Sequence, residues 1–315
     1  MTRGVGEFAV VDALPEAVVV LLAAVTHLAD PWVLFVLLAT TYWFADVRVA
    51  GDPRRSGATA IALVTCAYAA VALGKAAFAL PRPPGADPAV VAAGDVPTWL
   101  PPLLAAWYEG QLTSDGFGFP SGHATGAVVA YGALALLVDG VGTRRRRLAA
   151  AGIVAVAVAA SRVAIEVHYL VDVAVGGLLG VTVLGGGLWL AGAVGRVEPP
   201  WNPVEPPDPL PVFLVAAGLS LLAMGIAALG GHGGQVVEAG IGVGTGLGGA
   251  VGWLLVEGDE PAVPISLAVP GLLLTGGLWV VAFALGGGAL LTVLATGLAV
   301  VGVMAMPSLC ARFGR

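Results

Sequence analysis

Residues 148–195 read LAAAGIVAVAVAASRVAIEVHYLVDVAVGGLLGVTVLGGGLWLAGAVG. The apolar runs over 148–167 and 169–195 each approach the roughly 17–25 residues that a membrane-crossing helix needs. Arg162, Glu166, His168 and Asp172 gather where one run gives way to the next. The reading is two helices of a bilayer protein joined at one membrane face, with ionisable side chains collected at the join.

The rest of the chain extends this pattern. Runs near 31–46, 57–80, 121–139, 211–230, 234–256, 264–285 and 288–308 have the same character, giving about nine spans. A tenth is open at 8–29, where Asp12, Pro15 and Glu16 leave a clean apolar run only from Ala17 to Leu28, closer to an interfacial or re-entrant segment. Arg3 ahead of this short run makes a poor cleavable signal, so the segment is expected to stay. The 315 residues are 58% hydrophobic and 11% charged, where a soluble domain carries about 25% charge. The expected fold class is an all-α polytopic membrane helical bundle of about nine to ten transmembrane helices.

Basic residues give the orientation, because Lys and Arg in short loops mark the cytoplasmic side. Arg48, Arg54 and Arg55, the run Arg144 to Arg147, Arg196, and Arg312 with Arg315 all fall on one face if the spans alternate. With Arg3 assigned there too, that face holds 11 of the 14 basic residues. The remainder, Lys75, Arg82 and Arg162, lie toward the outer face. The acidic loop with Glu257, Asp259 and Glu260 falls on the inner face in this scheme, which carries little weight because carboxylates contribute little to topology.

The segment 196–210, rich in Pro and charge, cannot continue a helix and reads as a cytoplasmic linker. It divides the chain into a membrane core over 1–195, of about five to six helices, and a C-terminal transmembrane helical domain over 211–315, of about four helices with no readable role. Cys66 and Cys310 have no metal or redox spacing and read as packing residues. A net charge of −6 without a basic stripe gives no reason to expect nucleic acid as a partner.

Three groups of residues carry the chemistry. Lys75, the only lysine, ends an apolar helix, and Arg82 follows between Pro81 and Pro83, so both cations point toward one region. After a loop of some 37 residues, Pro120, Ser121, Gly122 and His123 open the next span. Free N–H groups at such a helix start form an anion site, with a hydroxyl and an imidazole beside it. In the third group His168 and Asp172 stand four apart, so on a helix the carboxylate can hold one imidazole nitrogen and leave the other free to attack. Ionisable residues inside a membrane are functional by default.

The segments KAAFALPRP, PSGH and SRVAIEVHYLVD resemble the tripartite signature of the type 2 phosphatidic acid phosphatases, a family related to the vanadium-dependent haloperoxidases. The resemblance covers 75–172 directly and about the first 195 residues by helix count, and leaves the helices after 210 unexplained. It implies that His168 attacks phosphorus to form a phosphohistidine while Asp172 sets its tautomer. Lys75, Arg82, Arg162, the Ser121 hydroxyl and the Gly122 N–H would bind the phosphoryl oxygens, and His123 would act as general acid and then base. No metal and no cofactor is implied.

Location supplies the substrate class, since a site at the outer face among apolar helices suits a phosphate or diphosphate on a lipid anchor. The expectation is a multi-pass cell-membrane phosphatase facing the extracytoplasmic side, with a lipid phosphate as substrate, membrane lipid as surroundings and no assigned protein partner. Polyprenyl diphosphate and phosphatidate-like lipids both fit. A lipid phosphotransferase using the same intermediate, a vanadate-dependent peroxidase and a non-catalytic transporter or scaffold are the alternatives. Gly244, Gly246 and Gly249 spell GxGxxG without a preceding strand and read as close helix packing. His27 and His232 read as loop or interfacial residues without matching partners, and Glu166 as a companion of Arg162. Trp99, Trp107 and Tyr108 read as an interfacial aromatic belt.

Overall fold

In the computed structural model, residues 3–87, 96–192, 197–198, 202–203, 207–256, 262–284 and 288–313 are described. Arg196, Arg315 and the acidic loop at 257–260 lie outside them. The chain forms α1 (Phe8–Val11), α2 (Glu16–Val25), α3 (Pro31–Phe44), α4 (Pro53–Phe78), α5 (Pro102–Leu112), α6 (Gly122–Leu137), α7 (Arg144–Ala164), α8 (Leu170–Leu190), α9 (Leu210–Leu229), α10 (Gly233–Leu254), α11 (Ile265–Ala284) and α12 (Gly288–Phe313). Within the linker, Val197–Glu198 and Asn202–Pro203 pair as a short antiparallel ribbon.

Each of the nine apolar runs contains a helix, but not all are membrane-length. By length and composition, α4, α7, α8, α9 and α12 qualify on their own. Helix α6 is a shorter apolar helix of 16 residues, and the apolar α11 runs for 20 residues. In α10, nine of 22 residues are glycine, which lowers its hydropathy despite its length. The segment 16–29 and α3 qualify only together, bent by 49° at Asp30, the geometry of a broken span or of a re-entrant loop. Large apolar side chains on the outside of the bundle, such as Ile153, Val156, Leu178, Leu273 and Leu290, are exposed, as a lipid-facing surface requires.

The helix ends follow from local chemistry. The Asp52 carboxylate accepts from the Arg55 N–H and Pro53 occupies the first turn of α4, two features that favour a helix start. The helix stops at Ala79, whose φ of 47° is left-handed, and Pro81 and Pro83 prevent its resumption. Thr143 caps α7, and Arg147 ties the turn before it by donating to the carbonyls of Ala135, Val141 and Gly142.

Helix α4 is the central element: 78% of its apolar window is buried inside the bundle, against 28% for α7 and α8. It packs on α3, α6 and α8 and also on α9 and α10, and one apolar core runs from Leu34, Ile61 and Leu63 through Val129 to Phe213 and Met304. Cys66 and Cys310 are buried free thiols in that core. The glycines of α10 serve packing: a Cβ at Gly244 would collide with Thr296 and Val293 of α12, one at Gly249 with Phe213 of α9, and one at Gly246 would come 2.8 Å from the Ala217 nitrogen.

Candidate active site

The turn between α7 and α8 sets the centre of the site. Glu166 takes a left-handed conformation (φ 56°), and the N–H groups of Val167 and His168 both return to the Arg162 carbonyl at 3.2 Å. This fold-back stacks His168 against the last turn of α7. Asp172, in the first turn of α8, accepts from the Tyr169 N–H at 3.1 Å, and Glu7 accepts from the Leu170 N–H at 2.9 Å, so both carboxylates satisfy otherwise orphaned donors at the start of α8. The start of α6 is fixed to the same helix: the Ser121 N–H donates to the Asp172 carbonyl at 3.1 Å, and a Cβ at Gly176 would lie 2.7 Å from the Ser121 oxygen.

These contacts gather His168, Asp172, Ser121 and Arg162 in the interior, at 2, 0, 0 and 5% exposure. Arg82 reaches in from its loop, held by donation to the carbonyls of Asp115 (3.2 Å) and Val167 (3.1 Å), and its Nη1 lies 3.0 Å from His168 Nε2. A guanidinium only donates, so Nε2 must offer its lone pair and the imidazole proton belongs on Nδ1. That is the tautomer a nucleophilic histidine needs. Burial first, and then the charges of Arg82, Arg162 and Lys75, push His168 well below the ordinary imidazole range of 6.5 and keep it neutral.

The Asp172 partnership is looser than the four-residue spacing implies. Asp172 Oδ2 is 3.5 Å from His168 Nδ1, and that nitrogen, buried, makes no hydrogen bond. Instead, both Asp172 oxygens accept from Arg3, each at 3.2 Å. Arg3 also donates to the Pro81 carbonyl at 2.8 Å and lies over the Tyr169 ring, so the N-terminal arm straps the site. Arg3 therefore lies with the site residues and not, as the sequence reading has it, on the face opposite Lys75, Arg82 and Arg162. The contacts of the arm with Asp172 and Pro81 put it on the side of the site, where the basic residues among those described are Arg3, Lys75, Arg82 and Arg162.

Two residues dismissed or overlooked in the sequence flank His123. Asp30 stands at the N-cap position of α3 but makes no side-chain cap there. Its Oδ1 lies 3.0 Å from His123 Nε2 and its Oδ2 lies 2.6 Å from His27 Nδ1. His27 Nε2 in turn accepts from Trp107 Nε1 at 2.9 Å. His27 therefore has matching partners, contrary to the sequence reading. The dipeptide Asp30-Pro31 reads as an ordinary helix start, which hid this carboxylate. Trp107 and Tyr108 are packed inward, Tyr108 almost fully, and only Trp99 keeps the exposed position expected of an aromatic belt. The reason is α5, a helix inside the loop between α4 and α6 that turns both rings onto the 16–29 segment.

Arg162 donates through Nη1 to Thr26 Oγ1 at 2.9 Å, and its Nε is buried without a hydrogen bond. Ser121 caps α6, its Oγ 3.5 Å from the Ala124 N–H. At Gly122 a Cβ would meet Val71 and Tyr68 at ordinary contact distances of 3.6 and 3.7 Å, so packing alone does not require glycine there. Lys75 Nζ donates to Glu238 Oε1 of α10 at 2.8 Å. Glu238 was missed although it is the one carboxylate in the 234–256 run. His232 stands edge-on to Phe117 at 4.9 Å, facing the same loop.

The arrangement offers a neutral imidazole, a second imidazole on a carboxylate, three cations and the start of a helix around one region, a set suited to capturing a tetrahedral oxyanion and attacking its central atom. Residues 55–196 match the family model of the PAP2 superfamily. No curated protein and no solved structure was found to match the chain.

Proposed function

We propose that the protein is a phosphatase of a lipid-linked phosphate, working through a phosphohistidine at His168 on the extracytoplasmic face of the cell membrane. The observation that carries this reading is the 3.0 Å approach of Arg82 Nη1 to His168 Nε2, which puts the imidazole lone pair beside a phosphate-binding cation. Lys75, Arg82 and Arg162 bind the phosphoryl oxygens and the charge that develops on them, with the Gly122 N–H and the Ser121 hydroxyl completing the cradle.

In the first step Nε2 bonds to phosphorus as the phosphorus–oxygen bond to the lipid alcohol breaks, and His123 gives its proton to the leaving oxygen. In the second, water adds to phosphorus as the nitrogen–phosphorus bond breaks, and His123 takes the water's proton. Asp30 steadies His123 in both. Every proton and bond is accounted for by this chain and water, with no metal in the scheme.

The test is phosphate release from a lipid phosphate by the purified protein in excess chelator. Wild type releases phosphate and is inhibited by orthovanadate, whereas His168→Ala releases none. Release that requires an acceptor lipid would redirect the reading to a phosphotransferase.

A further inference from the structure

The helices after residue 210 lie outside the PAP2 match, yet α10 reaches the site. Lys75 and Glu238 form an ion pair at 2.8 Å, with the lysine side chain 12% and the glutamate 41% exposed. The second carboxylate oxygen accepts from Gln235 Nε2 at 2.9 Å. Gln235 is itself buried, and a Cβ at Gly116 would lie 3.1 Å from its Nε2, so the amide is wedged against the loop that leads to Ser121. Glu238 also acts on Arg82: burial lowers that guanidinium, and Glu238 is the foremost carboxylate opposing the shift. One carboxylate thus touches or faces two cations of the phosphate cradle, in a helix with no other acidic residue.

A carboxylate so placed competes with substrate for Lys75. Phosphate must displace it, and because Gln235 keeps hold of the second oxygen, the displaced negative charge stays beside the bound anion. Its repulsion grows with the charge of the substrate, so a diphosphate is disfavoured more than a phosphomonoester. We propose that Glu238 is the counter-ion of Lys75 and a specificity-determining residue, by which the C-terminal helices make the site select lipid phosphomonoesters over lipid diphosphates. This rests on the phosphatase reading for the substrate but on the ion pair alone for the counter-ion.

Two measurements on the detergent-solubilised full chain test it. In calorimetric titration with orthovanadate, Glu238→Gln binds about fivefold tighter than wild type, and Glu238→Asp, which keeps the charge, stays within about twofold. In turnover, the ratio of kcat/KM for a polyprenyl diphosphate to that for phosphatidate rises about fivefold in Glu238→Gln. Weaker vanadate binding in Glu238→Gln would make Glu238 a support for Lys75 and overturn the proposal, as would an unchanged substrate ratio. Glu238→Ala carries the same test if the glutamine variant does not purify as folded protein. A wild type that binds vanadate but hydrolyses neither lipid would overturn the phosphatase reading, while the titration still decides the counter-ion.

Discussion

The first 192 residues and the helices after 210 are built from the same apolar alphabet and share one core, but they bury different things. In the first region the interior around the site holds Arg162, His168 and Asp172, each bonded to or facing another ionisable or polar group, and the buried Arg54 at the start of α4 donates to the Ala45 carbonyl. In the second, the buried polar residues are Ser220, Gln235, Thr245, Thr292, Thr296 and Ser308, and the close contacts of α10 are made through glycine. Charge inside a membrane bundle is expensive and marks chemistry, whereas small residues and hydroxyls mark helix packing. Glu238 is where the two meet.

That contrast predicts that substitutions in the first region remove activity while leaving the fold, and that substitutions in the second do the reverse. The largest effect is His168→Ala, expected to lower kcat/KM by at least about 10³-fold with an unchanged melting temperature, because the proposed nucleophile is lost. Asp30→Asn comes next. A general acid matters most for a poor leaving group, so kcat/KM for an alkyl phosphate falls about 10²-fold and that for p-nitrophenyl phosphate less than about fivefold. Equal losses on both would reduce Asp30 to a structural role.

On the other side of the comparison, Gly244→Val drives a side chain into Thr296 and Val293 and costs about 1–3 kcal/mol of stability, read as a lower melting temperature in detergent. The specific activity of the folded fraction stays near wild type. The mildest test is a pH profile. In the proposed mechanism His168 attacks only when neutral, and burial with the neighbouring cations holds its folded value well below 6.5, so kcat/KM persists as pH falls through 6.5 and declines only below it. An acid limb centred at 6.5 or above would contradict the neutral, buried imidazole.

Much of this was legible in the chain because the governing signals are local. Hydropathy located every long helix, since apolar length is a property of contiguous residues, and GxGxxG declared itself as packing by lacking a strand. The three signature groups were legible because each has a fixed short spacing. What stayed hidden depends on tertiary placement. Asp30 and His27 lie 93 and more residues from His123 and look like a helix start, and Arg3 reads as remote from the site because nothing local in the sequence signals its clasp on Asp172. The Arg3 clasp also explains why Asp172 and His168 stand 3.5 Å apart despite their ideal spacing.

The most direct test of the phosphohistidine is a quench experiment with a ³²P-labelled lipid phosphate and the full-length protein. Wild type should carry acid-labile, alkali-stable label that maps to the peptide containing His168 and is absent in His168→Ala. Label that persists in that variant, or phosphate release from it at the wild-type rate, would contradict the account.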